Sequence, residues 1–345
     1  MSASNTPADY LLESRGTARP LGAWVVGIGF GHEGKSCVFG TSDGALHVAR
    51  LTTPKEDWQR HEAHQGAVLA LAADAKEGVI SGGDDGRFMR LGADGQLVEL
   101  ARYGSRWVEH VAAHESGLRA VAVGKAVHVL DGAGAALKSL AHPSSVTGIA
   151  IDAKGKRIAA SHYNGVSLWF VAAKEDKPRS LEWKGSHTGV AISPDGTHVV
   201  TTMQENTLHG WRLADGQHMR MAGYPAKTKS LSFTAKGRWL ATSGADCIVI
   251  WPFFGGGPMG KAPTELAGGD EALCTMVACH PQQEVVAAGF SDGLVLMAEI
   301  ASGRVMPVSA PGRGAISALA WNDAGTHLAF GTEEGFAGLL DLSKR

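Results

Sequence analysis

Cysteine is scarce. Four thiols in 345 residues (Cys37, Cys247, Cys274 and Cys279), none in a C-x-x-C pair, exclude a disulfide scaffold and fit a reducing compartment. An excess of either charge is missing too, since 32 Lys and Arg oppose 34 Asp and Glu for a formal net charge of −2. Nucleic-acid binders and proteins that lie on anionic membranes usually carry a basic face, so neither partner is expected. No stretch approaches the ~18 uninterrupted apolar residues of a membrane span, and the first 22 residues lack a basic start followed by an apolar run. The expectation is a soluble, unprocessed, cytoplasmic chain. With 44% hydrophobic residues against 19% charged, disorder is excluded as well. Glycine is what abounds: 46 residues, nearly twice the usual share of ~7%, which predicts many turns and few long helices.

Self-comparison shows why. Eight segments share one apolar pattern, starting at Val25, Val68, Val108, Val146, His187, Thr228, Cys274 and Ile316. The fourth position is always aliphatic (Ile28, Leu71, Val111, Ile149, Val190, Leu231, Val277, Leu319), and the fifth is always Gly, Ala or Ser. The starts average about 42 residues apart, inside the ~40–45 of a four-stranded propeller blade. A second apolar run follows each segment and ends, in most of them, in a polar turn carrying Asp43, Asp85, Asn164, Glu205, Asp246, Asp292 or Glu334. Asp-Gly and Asn-Gly suit the positive φ of a tight hairpin. Two further short strands complete each unit as an antiparallel meander of strands a to d. Such units cannot bury both faces alone and stack radially around an axis. An all-β, eight-bladed propeller spanning 1–345 as one domain is expected; seven blades, reached by discarding the third unit, is the alternative. The last unit stops after its third strand, so residues 1–22 are assigned as a tail plus a closing strand near Leu12 to Pro20.

The chain resembles the WD40-repeat family. The fourth unit carries the resemblance best, with His142 before strand a, Ser161 in strand b, Asn164 in the hairpin and Trp169 ending strand c. Trp211 and Trp251 repeat the last position, whereas Asp131 and Asp341 follow Leu130 and Leu340 with no Trp. The resemblance implies a ring latched by its two ends and a non-enzymatic scaffold that binds a protein or peptide through the face made by the d-to-a and b-to-c loops.

Apparent catalytic motifs dissolve in the repeat. Gly40 to Gly44 and Gly289 to Gly293 both match G-x-S-x-G, yet both fall in the same b-to-c hairpin rather than between a strand and a helix. Gly255 to Ala262 nearly fits a phosphate loop, but Ala262 replaces the required hydroxyl and Pro263 follows. Cys274 and Cys279 sit at odd separation on one strand, point to opposite faces and read as core. Neither a cofactor nor a catalytic set is assigned. Two alternatives remain: an enzyme using Glu109, His110, His187 and Lys229 at the central channel, and a metal-handling protein using His110 with His114 or His61 with His64.

Residues that break the repeat on the loop face mark the partner site. They are Trp24, Arg106 and Trp107 beside strand a, Trp183 and Tyr224 in the slot held elsewhere by His64 and His142, and Tyr163 and Met203 at b-to-c turns. Trp, Tyr, Met and Arg are the types enriched at interface centres. The turn acids make this face acidic, and the opposite face collects Lys35, Lys76, Lys154, Lys156, Arg157, Lys236 and Arg238.

Overall fold

The computed structural model describes residues 10–31, 34–75, 78–268 and 271–343. The second unit shows the local logic. Its strands are Val68–Asp74, Gly78–Gly83, Arg87–Gly92 and Leu97–Arg102, each antiparallel to the next. Between the second and third, Gly86 takes φ 75°, which lets the chain reverse directly after Asp85. Burial rises from the half-buried first strand to the fully buried second and falls to the largely exposed fourth. The core therefore lies between neighbouring sheets, not at the axis.

Crowding near the axis explains the small fifth residue of strand a. A Cβ added at Gly29 would lie 3.0 Å from Val79 Cγ1 and 3.3 Å from the Ala73 amide nitrogen of the next unit. Hydroxyls in the same strands tie the units into a ring. Thr275 Oγ1 donates to the Ile316 carbonyl of the next unit (2.7 Å), and Thr147 Oγ1 donates likewise to that of His187. Ser317 Oγ, in the last unit, donates at 2.7 Å to Val25 O in the first. Units 2 and 3 are also joined by a buried ion pair, Arg119 Nε and Nη2 on the two Asp74 oxygens at 2.7 and 2.8 Å.

Hydrogen bonding groups the strands into seven sheets, six of four strands and one of six, where eight separate sheets were expected. The third unit is not the one lost; its four strands, His110–Ala113 to Ala136–Ala141, form their own sheet. The correction lies in the fourth and fifth units. Arg179–Ile192 is one continuous strand of 14 residues. Its first half pairs with 165–168 as an outer strand, and its second half pairs with 199–203 as an inner one. Tyr163 pairs with Ser186 across the junction, so no loop separates the two units there.

The N-terminal segment also differs from the expected strand. Leu11–Arg15 forms one helical turn that buries Leu12 in a cluster with Val308, Leu328 and Leu340. Gly16–Pro20 follows as a strand antiparallel to Phe336–Asp341. A Cβ at Gly16 would lie 2.5 Å from Leu12 Cδ1, so the turn into this strand needs glycine. Among the described residues no helix is long and apolar enough to cross a membrane.

Candidate interaction face

Slot and tryptophan positions recur from unit to unit and form a natural series. In unit 2, His64 fills the slot, with Nε2 2.9 Å from Ser81 Oγ and Nδ1 3.0 Å from Asp85 Oδ1. Burial pulls His64 below the usual imidazole value, against the pull of Asp85. Burial alone would raise the Asp85 carboxyl, but the Gln65 amide, His64 and the Arg87 amide hold it below the usual carboxylate value. In unit 4, Trp169 donates its indole N–H to His142 Nε2 at 3.0 Å. Burial, with His162 alongside, takes His142 down to about 4.

Unit 6 does the same job with a different side chain. Trp251 donates to the Tyr224 hydroxyl at 2.6 Å, and that hydroxyl meets Thr242 Oγ1 at 2.7 Å. Tyr224 is buried, and burial pushes its phenol up to about 12. Its assignment to the partner surface is therefore corrected: a side chain that both accepts and donates can replace the slot histidine and stays inside. Met203 is corrected likewise. It is buried beneath Gly185, where a Cβ would lie 2.7 Å from Met203 Cε.

Unit 5 departs from the series. Trp183 holds the slot, and an indole has no acceptor to offer, so the buried Trp211 Nε1 has no partner among the described residues. The Trp183 ring turns outward, 38% exposed, and lies flat on His209 with centroids 3.9 Å apart and planes 15° apart. His209 is fully buried and its Nε2 lies 3.0 Å from His218 Nδ1. Burial, then His218, His187 and Arg220, takes it down to about 3. Underneath, His187 Nε2 meets the Trp183 carbonyl at 2.9 Å, holding the strand that carries the indole.

Around this platform are two clefts of about 940 and 550 Å³, and both are bordered by Trp183, Tyr163 and Lys184. Tyr163 is 54% exposed, beside Asn164 at φ 70°. The expected residues Tyr163 and Trp183 are thus brought together. Trp24 and Trp107 are exposed, as is Arg106, but they lie at the strand-a starts of units 1 and 3 and border neither cleft. Sequence reading missed Lys184, Gln204, Arg220 and His218 at this site. The one available signal was the Trp standing where other units place His.

His64 is committed to Ser81 and Asp85, whereas His61 faces Gly95 on the neighbouring unit. His114 bonds Ser116 Oγ at 2.9 Å and reaches Ala153 O at 3.3 Å, while burial takes His110 down to about 4. Among the described residues no three His, Cys, Asp or Glu side chains are placed to hold one ion. Of the channel set, His187 is fully buried, with Nδ1 2.7 Å from Thr201 Oγ1. In the phosphate-loop lookalike, Lys261 curls back and donates to the carbonyls of Phe254 and Gly257.

Charge is also less polarised than expected. Asp43 is paired with Arg60 at 2.9 Å and Asp85 is absorbed in its hairpin, while Lys184, Lys227 and Arg106 belong to loops of the same face. The turn acids serve the turns first. On the other face Lys154, Lys156, Lys236 and Arg238 are exposed, Arg157 is bound to Asp152 at 2.8 Å, and Lys76 lies outside the described residues.

A ring of four-stranded antiparallel units with a degenerate slot-and-tryptophan series defines a WD40-like β-propeller. No family model matches the chain. It is similar to Autophagy-related protein 16 of Arabidopsis thaliana, 20% identical in an alignment of 314 positions that covers 85% of this chain and 59% of that one. It is also similar to Telomerase protein component 1 of Mus musculus, 24% identical in an alignment of 329 positions that covers 89% of this chain and 12% of that one. The chain thus spans less than two thirds of either relative. Among solved structures it is similar to the crystal structure of the computationally designed Ika8 protein, with a TM-score of 0.76 and 20% identity, over 94% of this chain and 98% of that one.

Proposed function

We propose that this propeller is a non-enzymatic, cytoplasmic scaffold that binds a protein or peptide through its d-to-a and b-to-c loop face. Trp183 and Tyr163 form the main contact, and Trp24, Arg106 and Trp107 form a second one on the same face. One observation carries the reading: unit 5 leaves the Trp211 N–H buried and unpaired, a penalty of about 1–3 kcal/mol, and exposes an indole instead. Local rules of folding are most often broken where function needs it. Exposed Trp and Tyr over a desolvated base are also the groups that dominate interface energies. The test is affinity capture with the intact protein, repeated with Trp183→Ala and Trp107→Ala. Loss of a specific partner in the first variant supports the reading; turnover of a substrate by a chain that captures nothing would replace it with an enzyme.

Two structural assignments belong to the same proposal. The six-stranded sheet is read as two repeats of the sequence merged into one blade, because Arg157–Phe170 and Arg179–Ile192 each run as one strand where the repeat has two. Gly16–Pro20 is read as the latch of the last unit. Deleting residues 1–20 would bare the edge of Phe336–Asp341 and remove Leu12 from its cluster. Exposed edges promote aggregation, so a lower Tm and loss of monomer by size exclusion are expected, and an unchanged profile would reject the latch.

A further inference from the structure

The cleft at the junction of units 4 and 5 has a chemistry that selects among peptides, and the inference drawn from it rests on the interaction reading above. Over the two clefts that flank Trp183 the charges cancel: Glu182 and Glu205 stand against Lys184 and Arg220. A strongly acidic or basic segment would meet as many like charges as opposite ones, so electrostatics favours an uncharged occupant.

Among its uncharged side chains the free hydrogen-bonding groups are mostly donors. Asn164 Oδ1 accepts the Gly185 N–H at 3.2 Å, which leaves the Asn164 amide hydrogens unused. Gln204 Oε1 accepts from the Lys227 ammonium at 2.8 Å, leaving its NH₂ free as well. The Trp183 indole and the Tyr163 hydroxyl add an N–H and an O–H at the same cleft. An occupant rich in carbonyls and poor in N–H groups suits this surface. The indole itself is held flat by His209 beneath it, so little freedom is lost when something stacks on its outer face.

From this pairing of aromatic faces with free donors in a neutral cleft, we infer that the site takes a proline-rich segment in the polyproline II conformation. Such a chain offers flat apolar rings every turn, backbone carbonyls and no proline N–H, and it is already extended before binding. Prolyl rings pack on Trp183 and Tyr163 while Asn164 and Gln204 donate to the carbonyls between them.

Calorimetric titration of the intact protein with an acetylated, amidated ten-residue oligoproline tests this, with oligoglutamate and oligolysine of the same length as comparison probes. Binding of the oligoproline is expected, weakened by at least about tenfold in Trp183→Ala and in Tyr163→Ala and unchanged in Met259→Ala, an exposed residue that borders neither cleft, with the charged peptides at least about tenfold weaker. No binding of oligoproline, or binding indifferent to both aromatic variants, overturns the inference. Selection from a random dodecapeptide library separates the two levels of the argument. Proline-free binders that are lost with Trp183→Ala would end the proline assignment and keep the interaction reading; no Trp183-dependent binder of any composition would end both.

Discussion

Units 2 and 5 are built from the same repeat and use it in opposite ways. In unit 2 the slot histidine, the strand-b serine and the hairpin aspartate satisfy one another, and no aromatic of that unit is exposed. In unit 5 the slot holds Trp183, two buried nitrogens (Trp211 Nε1 and His209 Nδ1) lack partners, and an indole faces solvent between two clefts. The difference shows that the network is a local device. One unit can give it up because the ring is held elsewhere, by inter-unit hydroxyl bonds and packing between sheets.

The most damaging way to probe this division is at the structural end. Asp74→Ala leaves Arg119 buried without its carboxylate, and breaking a buried pair from one side typically costs about 3–5 kcal/mol. Chemical denaturation should show a loss of that size with little effect on oligoproline binding at the distant junction. A loss below about 1 kcal/mol would mean that units 2 and 3 do not rely on the pair.

Acid should act next, and unevenly. His209 is held near 3, and His142 and His110 near 4, each chiefly by burial. Their folded values lie below the ordinary ~6.5, so the unfolded chain takes up protons first. The stability they contribute is complete above pH about 6.5 and is lost as pH falls towards 4. His64 differs in having Asp85 to oppose the effect of burial. Tm measured from pH 7.5 down to 4.5 should fall, and His209→Phe should flatten the fall more than His64→Phe. The reverse order would show that the partner aspartate does not offset burial.

Much of this architecture is legible in the sequence, for a physical reason. The inner strands are so close that the fifth position accepts only small residues, and that restriction repeats with the blade period. What was not legible depends on side-chain direction. Trp183 and Tyr224 occupy the same slot and look alike as interface aromatics, yet the tyrosine hydroxyl can accept from Trp251 and goes inside, whereas the indole cannot accept and goes outside. The fused strand Arg179–Ile192 was hidden because Gly185 resembles a turn glycine; its φ of 128° instead carries the strand past Met203 without reversing it. Spacing along the chain also does not reveal that His64 turns to Ser81 and Asp85, or His114 to Ser116 and Ala153.

A finer comparison isolates the hydrogen bond itself. Trp169→Phe and Trp211→Phe remove the same ring volume from equivalent positions, but only the first breaks a bond, to His142. The first substitution should cost about 1–2 kcal/mol more than the second, the usual worth of such a bond with its abandoned partner. Equal losses would mean that Trp211 Nε1 has a partner after all, such as an ordered water, and would weaken the argument that unit 5 is strained.

The smallest expected effect carries the most meaning. Trp183→His restores the slot residue of unit 4 to unit 5 and gives Trp211 Nε1 an acceptor, at the loss of the stack on His209. The hydrogen bond recovers about 1–3 kcal/mol, and the stacking lost is about 0.5–1.5 kcal/mol, so the central expectation is a net gain of about 1 kcal/mol, read as a slightly higher Tm. Partner capture and oligoproline binding should disappear in the same variant. Stability and binding moving in opposite directions at one residue is what a site that spends fold stability on recognition requires; if both fall together, Trp183 is a packing residue whose exposure is incidental.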